Sequence, residues 1–194
     1  MLKLLLLFVS VAFITSCSFL DKNKNILILQ PFSGISQQHV QHVYEKFKPV
    51  YDTVIINPAI PLPEQAYYSP RNRYRAKSLL DFLKTRVGRD TTIIGLTGKD
   101  ISTTKNNVKD FGIFGVAYRP SNVCMASTFR LNKRNVQEQF YKVSIHELAH
   151  TTGLPHCEEK SCYLRDAKGG NPLDEETSFC NKCLNHLRKK GWKI

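Results

Sequence analysis

The chain has 194 residues, 28 Lys plus Arg against 16 Asp plus Glu, a formal charge of +12, 42% hydrophobic residues and six cysteines. That length predicts one domain able to bury a core without disulfides, and 23% charged residues with 10 Gly and 9 Pro exclude a fibrous or disordered chain. An even cysteine count in an exported chain suggests three disulfides, but the positions of the six divide them among different uses.

Residues 1–17 read MLKLLLLFVSVAFITSC, with Lys3 the only charge before an apolar run from Leu4 to Ile14. As a helix that run is about 16 Å long, short of the ~20 residues that cross a bilayer. A basic start, a short apolar stretch and small residues before a cysteine form the pattern of an export signal. Ile14-Thr15-Ser16-Cys17 resembles the bacterial lipobox. Residues 1–16 are read as a lipoprotein signal peptide, residues 17–24 as a lipidated N-terminus at Cys17 with a polar spacer, and residues 25–194 as the domain. Each buried CH₂ adds about 0.8 kcal/mol, so several acyl chains hold a protein to a bilayer where one does not. The expected location is the cell envelope outside the cytoplasm, in the periplasm or at the cell surface.

From Asn25 onward short β-rich runs alternate with helical periodicity, which predicts a sheet packed with helices. Asn25–Gln30 reads as a strand, Ser36–Tyr51 as a helix with Val40, Val43, Tyr44 and Phe47 inward, and Thr53–Ile56 as a second strand. Pro58–Pro63 is a loop, because each proline removes a backbone donor. Pro70–Arg86 reads as a helix with Tyr74, Leu79, Leu80 and Leu83 inward, and its basic run of Arg71, Arg73, Arg75 and Lys77 as a solvated face. Thr91–Leu96 is a third strand, and Phe111–Tyr118 and Asn122–Phe129 are two more, joined through Arg119-Pro120-Ser121. Cys124 falls on the last strand, where a small buried hydrophobe is expected. Asn135–Thr152 is the longest helical segment, and beyond Leu154 the tail holds turn residues and cysteines with little apolar pattern.

The chemistry gathers on that helix and after it. His146 and His150 stand at i and i+4, so their imidazoles share one face and can converge on one ion. Glu147 sits beside them, placed to take a proton from activated water rather than to ligate. Gly153 permits a left-handed turn and Pro155 prevents continuation of the helix, so His156 can return as a third ligand. Three nitrogens leave a fourth position open, the arrangement of a catalytic zinc. Two His and a Glu at that spacing arise by chance on the order of once in a hundred such chains, and Gly153 with His156 lowers that by a factor of roughly 600. His39, His42 and His186 have neither a carboxylate nor a glycine turn beside them and are read as solvated.

With these residues the sequence resembles the archaemetzincin (archaelysin) family of metzincin zinc metallopeptidases. The likeness continues into Cys157, Cys162, Cys180 and Cys183, and into the blocks Leu62–Tyr74, Ile94–Asp100 and Ala126–Leu131. The resemblance implies an α/β (α+β) fold with a metzincin-like mixed twisted sheet, an active-site helix and a short zinc-stapled C-terminal subdomain. It implies two zinc ions: a catalytic one on His146, His150 and His156 with Glu147 as general base, and a structural one on the four cysteines. It further implies a cleft where an extended peptide or protein substrate pairs with an edge strand, for which Gly112–Tyr118 is the candidate. The sequence departs from the family at the methionine beneath the zinc. That position is Leu164 here, and Met125 lies too far upstream to replace it. Leucine is close in volume, a swap that costs under about 1.5 kcal/mol, so Leu164 is expected to form the hydrophobic floor under the zinc. The link from Cys162 to Cys180 is also a couple of residues shorter than the family's, which a surface loop absorbs.

The cysteines allow two readings. Their spacing suits a Cys₄ zinc, whereas an oxidising compartment favours local disulfides between Cys157 and Cys162 and between Cys180 and Cys183. A metal also accounts for the ordering of a tail with few apolar residues. Two rival functions stand beside the peptidase. A zinc-stapled nucleic-acid module would use the +12 charge, and a catalytically silent envelope protein would bind peptides without cutting them. The export signal weighs against nucleic acid, so no such partner is expected, and the protein is expected to be a monomer. Losing Lys3 with the signal lowers the charge to +11. An anionic membrane surface is the expected counterpart of that excess.

Overall fold

The computed structural model describes residues 25–194. The signal peptide, Cys17 and the spacer lie outside the described residues. The first half holds strand β1 (Ile26–Pro31), helix α1 (Gln37–Phe47), β2 (Thr53–Ile56), β3 (Tyr67–Tyr68), β4 (Arg73–Arg75), helix α2 (Ala76–Lys84) and β5 (Thr91–Thr97). The second holds β6 (Ile101–Lys105), β7 (Val108–Ile113), β8 (Gly115–Ala117), β9 (Val123–Ser127), helix α3 (Val136–Thr151) and helix α4 (Asn181–Lys189).

A five-stranded sheet runs β2-β1-β5-β9-β8, parallel except for the antiparallel edge strand β8. Its central strands are almost continuously apolar because parallel strands are covered on both faces. Leu27, Leu29, Ile94, Leu96, Cys124 and Ala126 face the main core with α1 and α3, while Ile93, Val123 and Met125 pack on the other side with α2. This period of two along each strand stacks α3 on the sheet next to β8 and β9. The mixed sheet and the active-site helix are as expected.

The predicted helix over Pro70–Arg86 is corrected: it starts only at Ala76, and Arg73–Arg75 is strand β4 of a second sheet ordered β3-β4-β6-β7. Its basic run is not a solvated helix face. Arg73 donates to Asp100 at 2.7 Å and Asp110 at 2.9 Å, Arg71 meets Asp110 at 3.3 Å, and Arg75 donates to the Lys109 carbonyl. Two carboxylates, Asp100 just before β6 and Asp110 on β7, thus convert a charge run into a sheet clasp; Lys77 alone stays on the helix, paired with Asp81.

The predicted strand Phe111–Tyr118 also divides. Gly112 and Ile113 pair with Ser102 and Ile101 in the second sheet, and only Gly115–Ala117 forms the edge of the first. The tail differs from its reading as well, since Leu164, Leu173, Phe179, Cys183, Leu187 and Trp192 belong to the same core as α1 and α3. Apolar burial orders this tail alongside its cysteines. Among the described residues no helix is long and apolar enough to cross a membrane.

Candidate active site

His146 and His150 lie one turn apart on α3, with ring centroids 4.6 Å apart. The chain then turns at Gly153, whose φ of +100° disfavours any residue with a Cβ, and returns His156 to 5.4 Å from His146 and 4.8 Å from His150. One ring nitrogen from each histidine lies within 4.8 Å of the others. Sequence spacing and fold therefore bring together the same three residues.

The rings are oriented by backbone. His146 Nδ1 donates to the Tyr163 carbonyl at 2.6 Å and His150 Nδ1 to the Leu154 carbonyl at 2.7 Å. Each Nε2 is left with its lone pair, the form in which imidazole binds a metal. Burial holds His146 at about 3, helped by His150, and His150 at about 4; burial also lowers His156. All three are neutral at pH 7. The Nε2 atoms of His146 and His150 face each other at 3.0 Å, close to the roughly 3.4 Å edge of a tetrahedron with Zn–N near 2.1 Å. The donor set fits zinc.

Glu147 is 7% exposed and lines a cleft of about 510 Å³ together with His146 and His156. Burial pushes its carboxyl up to about 8, and a cation among the histidines would draw it down. Gly115 on β8 makes room for it: a Cβ there would stand 2.6 Å from Glu147 Cγ and 2.7 Å from Oε1. Sequence reasoning missed this residue, because its partner is 32 positions away and nothing local marks it. It also missed Asp166, whose Oδ2 lies 3.9 Å from His156 Nδ1 and whose carboxyl the Lys168 N–H and His156 hold low.

Cys157, next to His156, opens the second cluster. The sulfurs of Cys157, Cys162, Cys180 and Cys183 lie within 4.8 Å of one another, and none is bonded to another. Cys157 Sγ lies 3.7 Å from Cys180 Sγ, a contact across the two local pairs expected for disulfides. It matches the ~3.8 Å edge of a tetrahedron with Zn–S near 2.3 Å. Burial pushes the Cys183 and Cys162 thiols up. Burial acts the same way on Cys180, but this residue caps α4, and the Cys183 N–H with neighbouring thiols bring it down. A lowered thiol at a helix N-terminus favours the thiolate that zinc takes.

The remaining predicted positions are scattered. Leu164 is fully buried in the main core, and its carbonyl accepts from Cys157 N at 2.8 Å. Met125 packs on the opposite side of the sheet, where Gly95 makes room for its sulfur. Cys124 is buried. His39 and His42 are half-buried against Phe140 and Glu138 of α3, and His186 lies 3.2 Å from the Thr152 carbonyl, so the solvated reading of these three is corrected. They pack between elements and take no part in either cluster.

A model of peptidase family M54 matches residues 18–189. The chain belongs to peptidase family M54. Among M54 relatives, the archaemetzincin of Haloarcula marismortui is 30% identical over 171 residues, covering 81% of this chain and 96% of its own. That of Methanopyrus kandleri is 32% identical over 132 residues, covering 66% and 73%. The crystal structure of the M. kandleri archaemetzincin matches with a TM-score of 0.74 at 27% identity, covering 87% of this chain and 96% of that one. The archaemetzincin from Archaeoglobus fulgidus, complexed with malonate, matches with a TM-score of 0.72 at 25% identity, covering 83% and 99%. This M54 chain is a zinc metallopeptidase.

Proposed function

We propose that the cleft hydrolyses peptide bonds with Glu147 as general base, His146, His150 and His156 holding a catalytic zinc, and Cys157, Cys162, Cys180 and Cys183 holding a second, structural zinc. The observation that carries this reading is three imidazole nitrogens within 4.8 Å of one another in a cleft that Glu147 also lines.

Zinc at the histidines supplies Lewis-acid polarisation of a carbonyl and brings the pKa of water towards ~7. The chain's own residues do the rest. Glu147 takes the water proton and passes it to the departing nitrogen. A cation held by the histidines would draw its raised carboxyl down to the ionised form a base needs, and burial favours its keeping the proton between the two steps. Strand β8, at the sheet edge, offers backbone N–H and C=O to an extended peptide. Leu164, fully buried in the core that α3 packs on, is read as the apolar floor of the histidine site. The test is Glu147→Ala: zinc content measured by mass spectrometry stays at the wild-type value while hydrolysis of a mixed peptide library falls on the order of 10³-fold. Full activity in that variant overturns the role of Glu147.

Cys17 carries the lipid that holds this domain at the envelope. Asn25, the first described residue, donates its side-chain amide to the Gly191 carbonyl at 3.4 Å, just past the end of α4. The exposed Lys182, Arg188, Lys189 and Lys190 of α4 and its C-terminal end are suited to an anionic leaflet. Cys17→Ala should move the protein from the membrane fraction to the soluble fraction, and an unchanged distribution refutes the anchor.

A further inference from the structure

Glu176 has no role in the chemistry above, yet it lines the same cleft as His146, Glu147 and Val143. It is 1% exposed, and its buried Oε2 has no hydrogen-bond partner. A carboxylate withdrawn from water and left unpaired costs several kcal/mol, so an apolar residue would be the stable choice for a wall that only had to be filled.

The backbone around Glu176 is held firmly in place. Lys142, one helical turn before His146, donates its ammonium to the carbonyls of Leu173 at 2.7 Å and of Glu176 itself at 2.6 Å. Asp174 accepts from Asn135 and Gln139 at 2.9 Å each. Helix α3 thus fixes the Leu173–Glu176 segment against the cleft, while Lys142 spends its donors on main-chain carbonyls.

Cations also line the cleft, and the structure shows where they go. Arg130 is bidentate on Asp100, Arg165 meets Glu175 at 2.5 Å, Lys105 lies 5.2 Å from the Phe111 ring centroid, and the charge of Lys168 helps hold the Asp166 carboxyl low. Glu176 differs in that its buried Oε2 has no hydrogen-bond partner. Burial pushes its carboxyl up to about 7, against the pull of Lys142 and Arg165. A cation brought against it would regain the lost pairing in a water-poor setting, where charge-assisted hydrogen bonds are strongest.

We propose that Glu176 is the floor of a substrate side-chain pocket that selects a lysine or arginine beside the scissile bond. This rests on the peptidase reading of the same cleft and names its substrate class: peptides carrying a basic residue next to the cut. The contrary preference, for acidic side chains through the basic residues of the cleft, is an outcome of the same test.

The experiment digests a mixed peptide library with the zinc-loaded full chain, then compares kcat/KM for matched peptides carrying lysine or norleucine at the selected position. Norleucine keeps the length and removes the charge. Lysine or arginine should be enriched at one position flanking the cut, and Glu176→Gln should lower the lysine-to-norleucine ratio about tenfold. A wild-type ratio near one, enrichment of Asp or Glu, or an unchanged ratio in Glu176→Gln overturns the proposal. Binding of the same two peptides to Glu147→Gln protein, read by calorimetry, separates the two ideas. Tighter lysine binding with no cleavage of any peptide by wild-type protein refutes hydrolysis and keeps Glu176, whereas equal binding refutes Glu176.

Discussion

His156 and Cys157 are joined by one peptide bond, yet they open two clusters of opposite character. The histidine cluster offers three donors at a cleft, and its last member has 46% of its side chain exposed. The cysteine cluster offers four donors, two of them buried, and shares the main core with α1 and α3. Three donors leave room for a reactant, and four close the shell. The comparison teaches that donor count and access, set within a few residues of chain, separate a reacting site from a bracing one.

The sharpest way to break this contrast is to remove one ligand from each cluster. A structural zinc contributes on the order of 10 kcal/mol in small sites, comparable with the whole net stability of a domain. Cys183→Ser should therefore lose cooperative unfolding and expose the tail to protease. His150→Ala should keep its cooperative transition and the cysteine-site ion while losing the histidine-site ion and turnover. A folded Cys183→Ser beside an unfolded His150→Ala would reverse the assignment.

A smaller effect concerns pH in protein whose histidine site is stripped of metal. The Glu147 carboxyl lies at about 8 when folded against a usual 4.5. A raised carboxyl contributes its full stability below about 4.5 and loses it as pH rises through 8. His146 and His150, at about 3 and 4, act in the other sense: their contribution is full above the usual 6.5 and falls as pH drops. Glu147→Gln should thus be more stable than wild type by on the order of 4 kcal/mol at pH 8, with the gap closing towards pH 4.5. Urea titrations across that range check it, and a gap independent of pH would deny the burial.

The smallest expected effect concerns the room beside Glu147. Gly115→Ala puts a methyl 2.6 Å from Glu147 Cγ and 2.7 Å from the Met125 carbonyl oxygen, so Glu147 or the β8–β9 backbone must shift, and displacing a proton-transfer group by about an ångström costs roughly 10²-fold in rate. Zinc content should be unchanged in that variant, and equal activity would show that Glu147 tolerates the push.

The histidines and α3 were legible because an i, i+4 pair, a glycine and a proline act within eleven residues, from His146 to His156. Strands β1 and β5 were legible because burial on both faces leaves unbroken apolar runs. The second sheet was not: β4 is Arg-Tyr-Arg, and what holds it are Asp100 and Asp110, carboxylates 27 and 37 residues beyond Arg73. Helix α4 escaped notice because only Cys183 and Leu187 of its nine residues are buried. Gly115 and Glu176 acquire meaning only across the cleft, where no local pattern records them.

Tyr163 carries a last consequence. It follows Cys162, whose sulfur belongs to the cysteine cluster, and its carbonyl is the acceptor that orients His146. A shift of Cys162 therefore moves the anchor of a ring in the other cluster. Were each cluster to hold an ion, Tyr163 would couple them, and such linkage is reciprocal: a cysteine shell that holds Cys162 still also steadies the carbonyl against which the His146 ring is set.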